Sequence, residues 1–122
     1  MSAFRLLAAA TLLIAIPGSA QAPVQTIELS SFAYAPRTIT LAAGKPVTLA
    51  FVNRSGDAHD FTAKNFFARS RFVSGSAPGG EIELKGGQSQ SVTLIPAAGR
   101  YPVHCGHFLH KQFGMTGTIM VR

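Results

Sequence analysis

The chain has a single cysteine, few acidic residues and no hydrophobic run long enough to cross a bilayer. One cysteine, Cys105, excludes an internal disulfide. Only five of the 122 residues are Asp or Glu, and none belongs to a recognisable carboxylate dyad or nucleophile–base pair. The composition therefore does not predict an enzyme, and the length allows one domain.

The N-terminus has the pattern of a secretory signal peptide. A short basic segment, residues 1–5, precedes an apolar run of eleven residues, 6–16, and a small-residue exit at residues 17–20. This run is too short to span a bilayer, so an uncleaved membrane anchor is the less favoured alternative. The sequence thus predicts an exported, periplasmic protein with no stable membrane anchor after cleavage.

Two cleavage points fit the small-residue rule. Cleavage after Ala22 would place Pro23 at the new N-terminus, where proline suits the peptidase poorly. We therefore expect cleavage after Ala20, which makes residues 1–20 the signal peptide and residues 21–122 a single mature domain.

The chain is basic, with a formal charge of +6 that falls by one when the signal peptide is removed. Such an excess favours acidic partners and steers encounters with them. The basic residues are scattered and the chain is expected to be exported, so nucleic acid is not a predicted partner. A solvated surface is the alternative explanation of the charge.

Short segments that alternate polar and apolar residues, separated by Gly- and Pro-containing turns, indicate an all-β sandwich of about seven to eight strands. Residues 31–36 and 73–80 are predicted loops, and residues 61–72 fit either a short helix or an irregular strand. The predicted strands contain residues 26–30, 38–41, 47–53, 81–84, 92–94, 101–105 and 117–121.

The most informative stretch lies near the C-terminus, at residues 101–118. It contains Cys105, three of the four histidines and a methionine, Met115. Thiolate, imidazole and thioether donors suit a trigonal His2Cys copper site with a weak axial Met. The spacing Cys105-x4-His110-x4-Met115 supplies three such ligands, and His59 is the histidine left for the fourth.

Each of these ligands has an alternative explanation. Cys105 could be a buried inert thiol, and Met115 could fill space in the core. His107 could replace His110, but it lies only two residues after Cys105, so the chain would have to curl sharply around the metal. His104 is adjacent to Cys105 on a predicted strand and should face the opposite side.

These motifs resemble those of the cupredoxins, the blue (type 1) copper proteins. The Cys-x4-His-x4-Met spacing is similar to type 1 sites of multicopper oxidases, and residues 114–121 are similar to the plastocyanin C-terminus. Residues 51–61 resemble the strand-then-histidine motif of the family. The resemblance implies a plastocyanin-like Greek-key sandwich and one type 1 copper ion held by His59, Cys105, His110 and Met115.

Two departures from the family pattern bear on function. Gly106, not histidine, follows Cys105, and four histidines cannot build both a type 1 site and a trinuclear copper cluster. An oxidase is therefore not expected. Asp60 follows the first histidine where the family commonly has Asn, whose hydrogen bonds tether the ligand loops and tune the metal.

The function that the resemblance implies is one-electron transport through Cu(II)/Cu(I) cycling, by a monomer with redox protein partners. The first alternative is a periplasmic copper-binding protein for copper carriage, tolerance or cuproenzyme assembly. The second is a cupredoxin-like domain with an altered or empty site. If exposed, Phe108, Leu109 and Phe113 would form a small apolar docking patch around His110, with Lys111 adding charge.

Overall fold

A computed structural model describes residues 8–13, 21–107 and 114–122. Its elements are β1 (Val24–Ser30), β2 (Ala33–Ala35), β3 (Thr38–Leu41), β4 (Val47–Asn53), β5 (His59–Thr62), α1 (Lys64–Arg69), β6 (Arg71–Ser74), a 3₁₀ turn (Pro78–Gly80), β7 (Glu81–Leu84), β8 (Ser89–Ile95), β9 (Gly99–His104) and β10 (Thr116–Val121). The strands form two five-stranded sheets, ordered β2-β1-β4-β8-β6 and β3-β10-β9-β5-β7. This architecture confirms the all-β sandwich.

The core lies between the two sheets and follows the period of two in the sequence. In β4, Val47, Leu49 and Phe51 are buried, whereas the residues between them are half-buried. On the outer face of the same sheet, the Thr48 and Thr93 hydroxyls lie 2.8 Å apart and share a hydrogen bond. Alternating apolar side chains therefore drive the two sheets together.

The described residues contain ten strands, more than the seven or eight expected. One additional strand is β2, which lies in the predicted loop of residues 31–36 and pairs antiparallel with β1. Phe32 adopts a positive φ of 59° in the turn between them, and this turn reverses the chain over two residues. The buried Tyr34 side chain then holds β2 on the sandwich.

The segment that fits neither period, residues 61–72, is divided among three elements, β5, α1 and β6. Phe66 and Phe67 are adjacent on α1, and both are buried. Their rings pack edge to face, and Phe67 also contacts Phe61 and Phe72. No single periodicity could describe a segment that changes element twice. β6 also extends to Ser74, into the predicted loop that begins at residue 73.

Most of the predicted signal peptide, residues 1–7 and 14–20, lies outside the described residues. Its cleavage point therefore stays a prediction. Within the residues that the structure describes, no helix is both long and apolar enough to cross a membrane.

Candidate metal centre

Two adjacent strands of one sheet bring Cys105 and Met115 together. Cys105 follows the end of β9, and Met115 precedes the start of the antiparallel neighbour β10. The Cys105 backbone N–H donates to the Met115 carbonyl oxygen at 3.1 Å. Both side chains are fully buried. A soft thiol and a soft thioether thus lie at the same end of the sandwich.

His59 belongs to the same end. It is the first residue of β5, which runs antiparallel to β9 with Thr62 opposite His104. The start of β5 therefore lies level with the chain just beyond β9, where Cys105 stands. His59 lies outside the strands predicted from the sequence, whereas the structure makes it a buried strand residue, 1% exposed.

The connection before His59, residues 54–58, is held by a residue that the sequence analysis did not select. The side-chain amide of Asn53 donates to the Asp57 carbonyl at 2.7 Å and to the Leu84 carbonyl at 3.2 Å. Its oxygen accepts from the Ser55 backbone N–H at 3.0 Å. Buried amides with several partners fix loops firmly, so Asn53 positions the entry to β5.

The surroundings of Cys105 have two opposite effects on its thiolate, one from burial and one from backbone hydrogen bonds. Burial raises the pKa of the Cys105 thiol, while backbone N–H groups of Asp60 and His107 act in the opposite direction. The Asp60 N–H lies 3.5 Å from the Cys105 Sγ. A bound cation would favour the thiolate strongly, since the thiolate is the form that binds metals.

Asp60 ties the strands of the centre together. Its Oδ1 accepts from the Gly106 backbone N–H at 2.8 Å and from the Thr62 hydroxyl at 2.6 Å. Its carbonyl oxygen accepts from the buried Tyr34 hydroxyl at 2.5 Å. An aspartate thus makes the tether that the family resemblance implies for an asparagine at this position, and it brings a carboxylate close to Cys105.

The same buried network affects Tyr34. Burial raises the pKa of the Tyr34 hydroxyl well above its usual range, and the nearby Cys105 and Asp60 raise it further. Tyr34 therefore stays a neutral hydrogen-bond donor to Asp60 at any physiological pH.

The two histidines beside Cys105 point elsewhere. His107 Nε2 lies 2.7 Å from Glu83 Oε1 and 3.7 Å from Asp60 Oδ2. His104 is half-buried and lines a shallow cleft on the other face of β9 with Lys64, as its alternation with Cys105 predicts. His110, the predicted second imidazole ligand, lies outside the described residues, as do Phe108, Leu109, Lys111 and Phe113 of the expected patch.

Comparison with known proteins agrees with this geometry. The family model described as "Cupredoxin-like domain" matches residues 3–121. The chain belongs to the cupredoxin-like family. A search among curated proteins found no match.

Among solved structures, this cupredoxin is similar to auracyanin B, with 26% identity over 83% of this chain and 89% of the other, and a TM-score of 0.63. A dithionite-reduced auracyanin from the photosynthetic bacterium Roseiflexus castenholzii is 20% identical, over 84% of this chain and 98% of its own, and has a TM-score of 0.63. A multicopper oxidase from Campylobacter jejuni, a metallo-oxidase, is 13% identical over 87% of this chain but 31% of its own, also at 0.63. The last two likenesses show the fold alone.

Family membership and the auracyanin likeness support a copper-binding protein of the electron-carrier type. The residues fit such an ion in their chemistry, because thiolate, thioether and imidazole are donors that copper sites use. All three described donors are buried at one end of the sandwich.

Proposed function

We propose that this cupredoxin is an exported type 1 copper protein that carries single electrons. His59, Cys105, His110 and Met115 would hold one copper ion, with Met115 the weakest donor. The ion supplies the Cu(II)/Cu(I) couple. The observation that carries the proposal is the burial of His59, Cys105 and Met115 where β5, β9 and β10 meet.

The contribution of the protein is to hold these donors still. Cys105 is fixed by a backbone hydrogen bond to Met115, and Asp60 links the start of β5 to Gly106. Donors on a strand or directly beside a strand end, with such supporting contacts, are positioned more firmly than donors in long loops. Little rearrangement of the protein is then needed when an electron arrives or leaves.

Copper carriage, tolerance or cuproenzyme assembly is the competing function, since the same ligands serve it. Buried donors favour retention of the ion over its ready transfer, which is our reason for preferring electron transport. We further propose a periplasmic location, a monomeric state and redox protein partners, with acidic surfaces among them because the chain is basic.

The optical and EPR spectra of the mature protein loaded with Cu(II) test the proposal. With one equivalent of Cu(II), we expect the buried centre to take the ion and to show an intense visible thiolate-to-copper band and reversible reduction without loss of metal. A colourless Cu(II) complex would contradict the type 1 assignment. Rapid loss of copper to a chelator of moderate affinity during redox cycling would favour carriage.

Met115→Leu tests the axial ligand. We expect the visible band to remain and the reduction potential to rise, because a weak donor to Cu(II) is lost while the apolar volume is conserved. Voltammetry of the two proteins measures the change. Met120→Leu is a matched control on a half-buried methionine of β10. Equal potentials in all three proteins would make Met115 a packing residue.

A pair of substitutions identifies the second imidazole ligand. We expect His110→Gly to abolish the visible band and added imidazole to restore it, because the substitution opens an equatorial position. His107→Ala should retain the band, since the His107 ring is directed at Glu83. Titration of each variant with Cu(II), followed by absorption, makes the comparison. Loss of the band in His107→Ala but not in His110→Gly would reverse the assignment.

Asp60→Asn tests the charge beside the thiolate. The amide oxygen can still accept from Gly106 and Thr62, so the tether is kept while the negative charge is removed. We expect the reduction potential to rise by on the order of tens of millivolts, since a nearby negative charge favours Cu(II) over Cu(I) and its removal reverses that preference. Glu81→Gln, an exposed carboxylate, is the control. A potential that falls or stays constant in Asp60→Asn would show that the charge does not act on the copper.

A further inference from the structure

We propose that Asp60, Glu83 and His107 form a second metal site, for a divalent first-row transition ion, on the surface beside the buried centre. One ligand atom from each residue lies within 4.8 Å of the other two. This site shares no side chain with the proposed copper ligands. It therefore goes beyond electron transport and does not depend on it.

The pairing of β5 with β7 creates the need for a cation. Asp60 stands directly opposite Glu83 in this antiparallel pair, and like charges at directly opposite positions are destabilising. Glu81 lies two residues before Glu83 on the same strand and is also acidic, but it contributes no ligand atom to the cluster. A bound divalent ion would neutralise the charge that this register concentrates.

The Asp60 carboxylate is already oriented for this role. Its Oδ1 is fixed by Gly106 and Thr62, and its side chain is only 4% exposed. Its Oδ2 faces His107 Nε2 at 3.7 Å, which is longer than a direct hydrogen bond. A Cβ at Gly106 would stand 3.2 Å from Oδ2, so the glycine leaves the approach to this oxygen open.

The three donors have the chemistry and spacing of a metal site. One imidazole nitrogen with two carboxylate oxygens suits zinc and copper(II) better than calcium or magnesium. His107 Nε2 and Glu83 Oε1 now share a hydrogen bond of 2.7 Å. Two atoms that each bind one ion at about 2.0–2.2 Å stand roughly 3.0–3.5 Å apart, so a small movement of these exposed side chains would replace the hydrogen bond with the ion. The His107 and Glu83 side chains are 32% and 48% exposed, which leaves the remaining positions open to water.

An ion at this site would act on the buried centre through Asp60. The side chain of Asp60 faces the site, whereas its backbone N–H faces Cys105 Sγ at 3.5 Å. A positive charge here would offset the Asp60 carboxylate and favour the reduced state of a neighbouring copper. Occupancy of the surface site is thus expected to raise the reduction potential.

Zinc titration of the copper-loaded protein tests the site, with Zn²⁺ as a redox-silent probe. We expect one zinc ion per chain by equilibrium dialysis, and affinity at least about tenfold lower in Glu83→Gln and in His107→Ala. Glu81→Gln is the matched control, because it removes the same charge from the same face of β7. It should bind zinc nearly as well as the unmodified protein.

Two outcomes would overturn the proposal. One is unchanged zinc affinity in Glu83→Gln; the other is an equal loss in Glu81→Gln, which would indicate general attraction to an acidic surface. The imidazole ¹⁵N shifts of His107 give a second readout, since zinc should move them in the unmodified protein but not at matched zinc in Glu83→Gln. If the buried centre does not take copper, zinc binding by the metal-free unmodified protein, Glu83→Gln and Glu81→Gln still tests the surface site. Failure of the proposed copper centre can therefore be distinguished from failure of the proposed surface site.

Discussion

Replacing Cys105 with serine is expected to abolish the visible absorption of the Cu(II) protein completely. The band requires a thiolate bound to Cu(II), and this chain has no other cysteine. A hydroxyl is a poor and harder ligand for copper, so we also expect weaker binding and an EPR spectrum of ordinary tetragonal type. Absorption and EPR spectra of both proteins, each with one equivalent of Cu(II), measure the change.

Thermal unfolding of the metal-free proteins controls for loss of the fold in Cys105→Ser. Serine is nearly isosteric, and its oxygen can accept from the Asp60 N–H that now lies against Sγ. We therefore expect cooperative thermal unfolding of metal-free Cys105→Ser close to that of the metal-free unmodified protein. A variant that unfolds normally yet keeps the intense band would rule out thiolate ligation.

The sequence predicted the strands best where one face alternates without interruption. β3, β4 and β7 have the predicted bounds, because the apolar positions of each strand meet the core in a period of two. The same pattern predicted that His104 and Cys105 would face opposite sides of β9. Local periodicity was sufficient in these elements because each strand buries one face.

The parts that could not be predicted depend on contacts between distant segments. β2 is three residues long and exists through its pairing with β1, so it carries no period of its own. β5 is buried at all four positions, and no alternation marks it. The loop-fixing role of Asn53 required knowledge of which carbonyl groups would surround its amide.

The proposed surface metal site of Asp60, Glu83 and His107 also depends on contacts between distant segments. From the sequence, Asp60 is a departure from the asparagine that the family commonly has, and His107 is an alternative copper ligand to His110. Their relation to Glu83 arises from the register of β5 against β7, which places Asp60 opposite Glu83. Register between strands is set by the packed sandwich, and a single sequence does not reveal it.

Phe61→Ala is expected to cause the largest loss of stability, about 3–5 kcal/mol. Phe61 is fully buried on β5, and its ring centroid lies 4.9 Å from that of Phe51, 5.4 Å from Tyr34 and 6.2 Å from Phe67. Removing the ring leaves a cavity between both sheets and α1. Because domains of this size are stable by about 5–15 kcal/mol, the loss is a large share of the total.

Urea unfolding of the metal-free protein should measure this loss, since a bound ion adds stability that would mask it. Phe72→Ala is the matched control, because Phe72 packs against Phe67 but is only half-buried. We expect it to cost about 1–2 kcal/mol, in proportion to the smaller apolar area that it buries. Equal costs for the two variants would show that the core is not centred on Phe61. If Phe61 supports β5 as the packing indicates, copper affinity should also fall in Phe61→Ala, because β5 carries both His59 and the Asp60 tether.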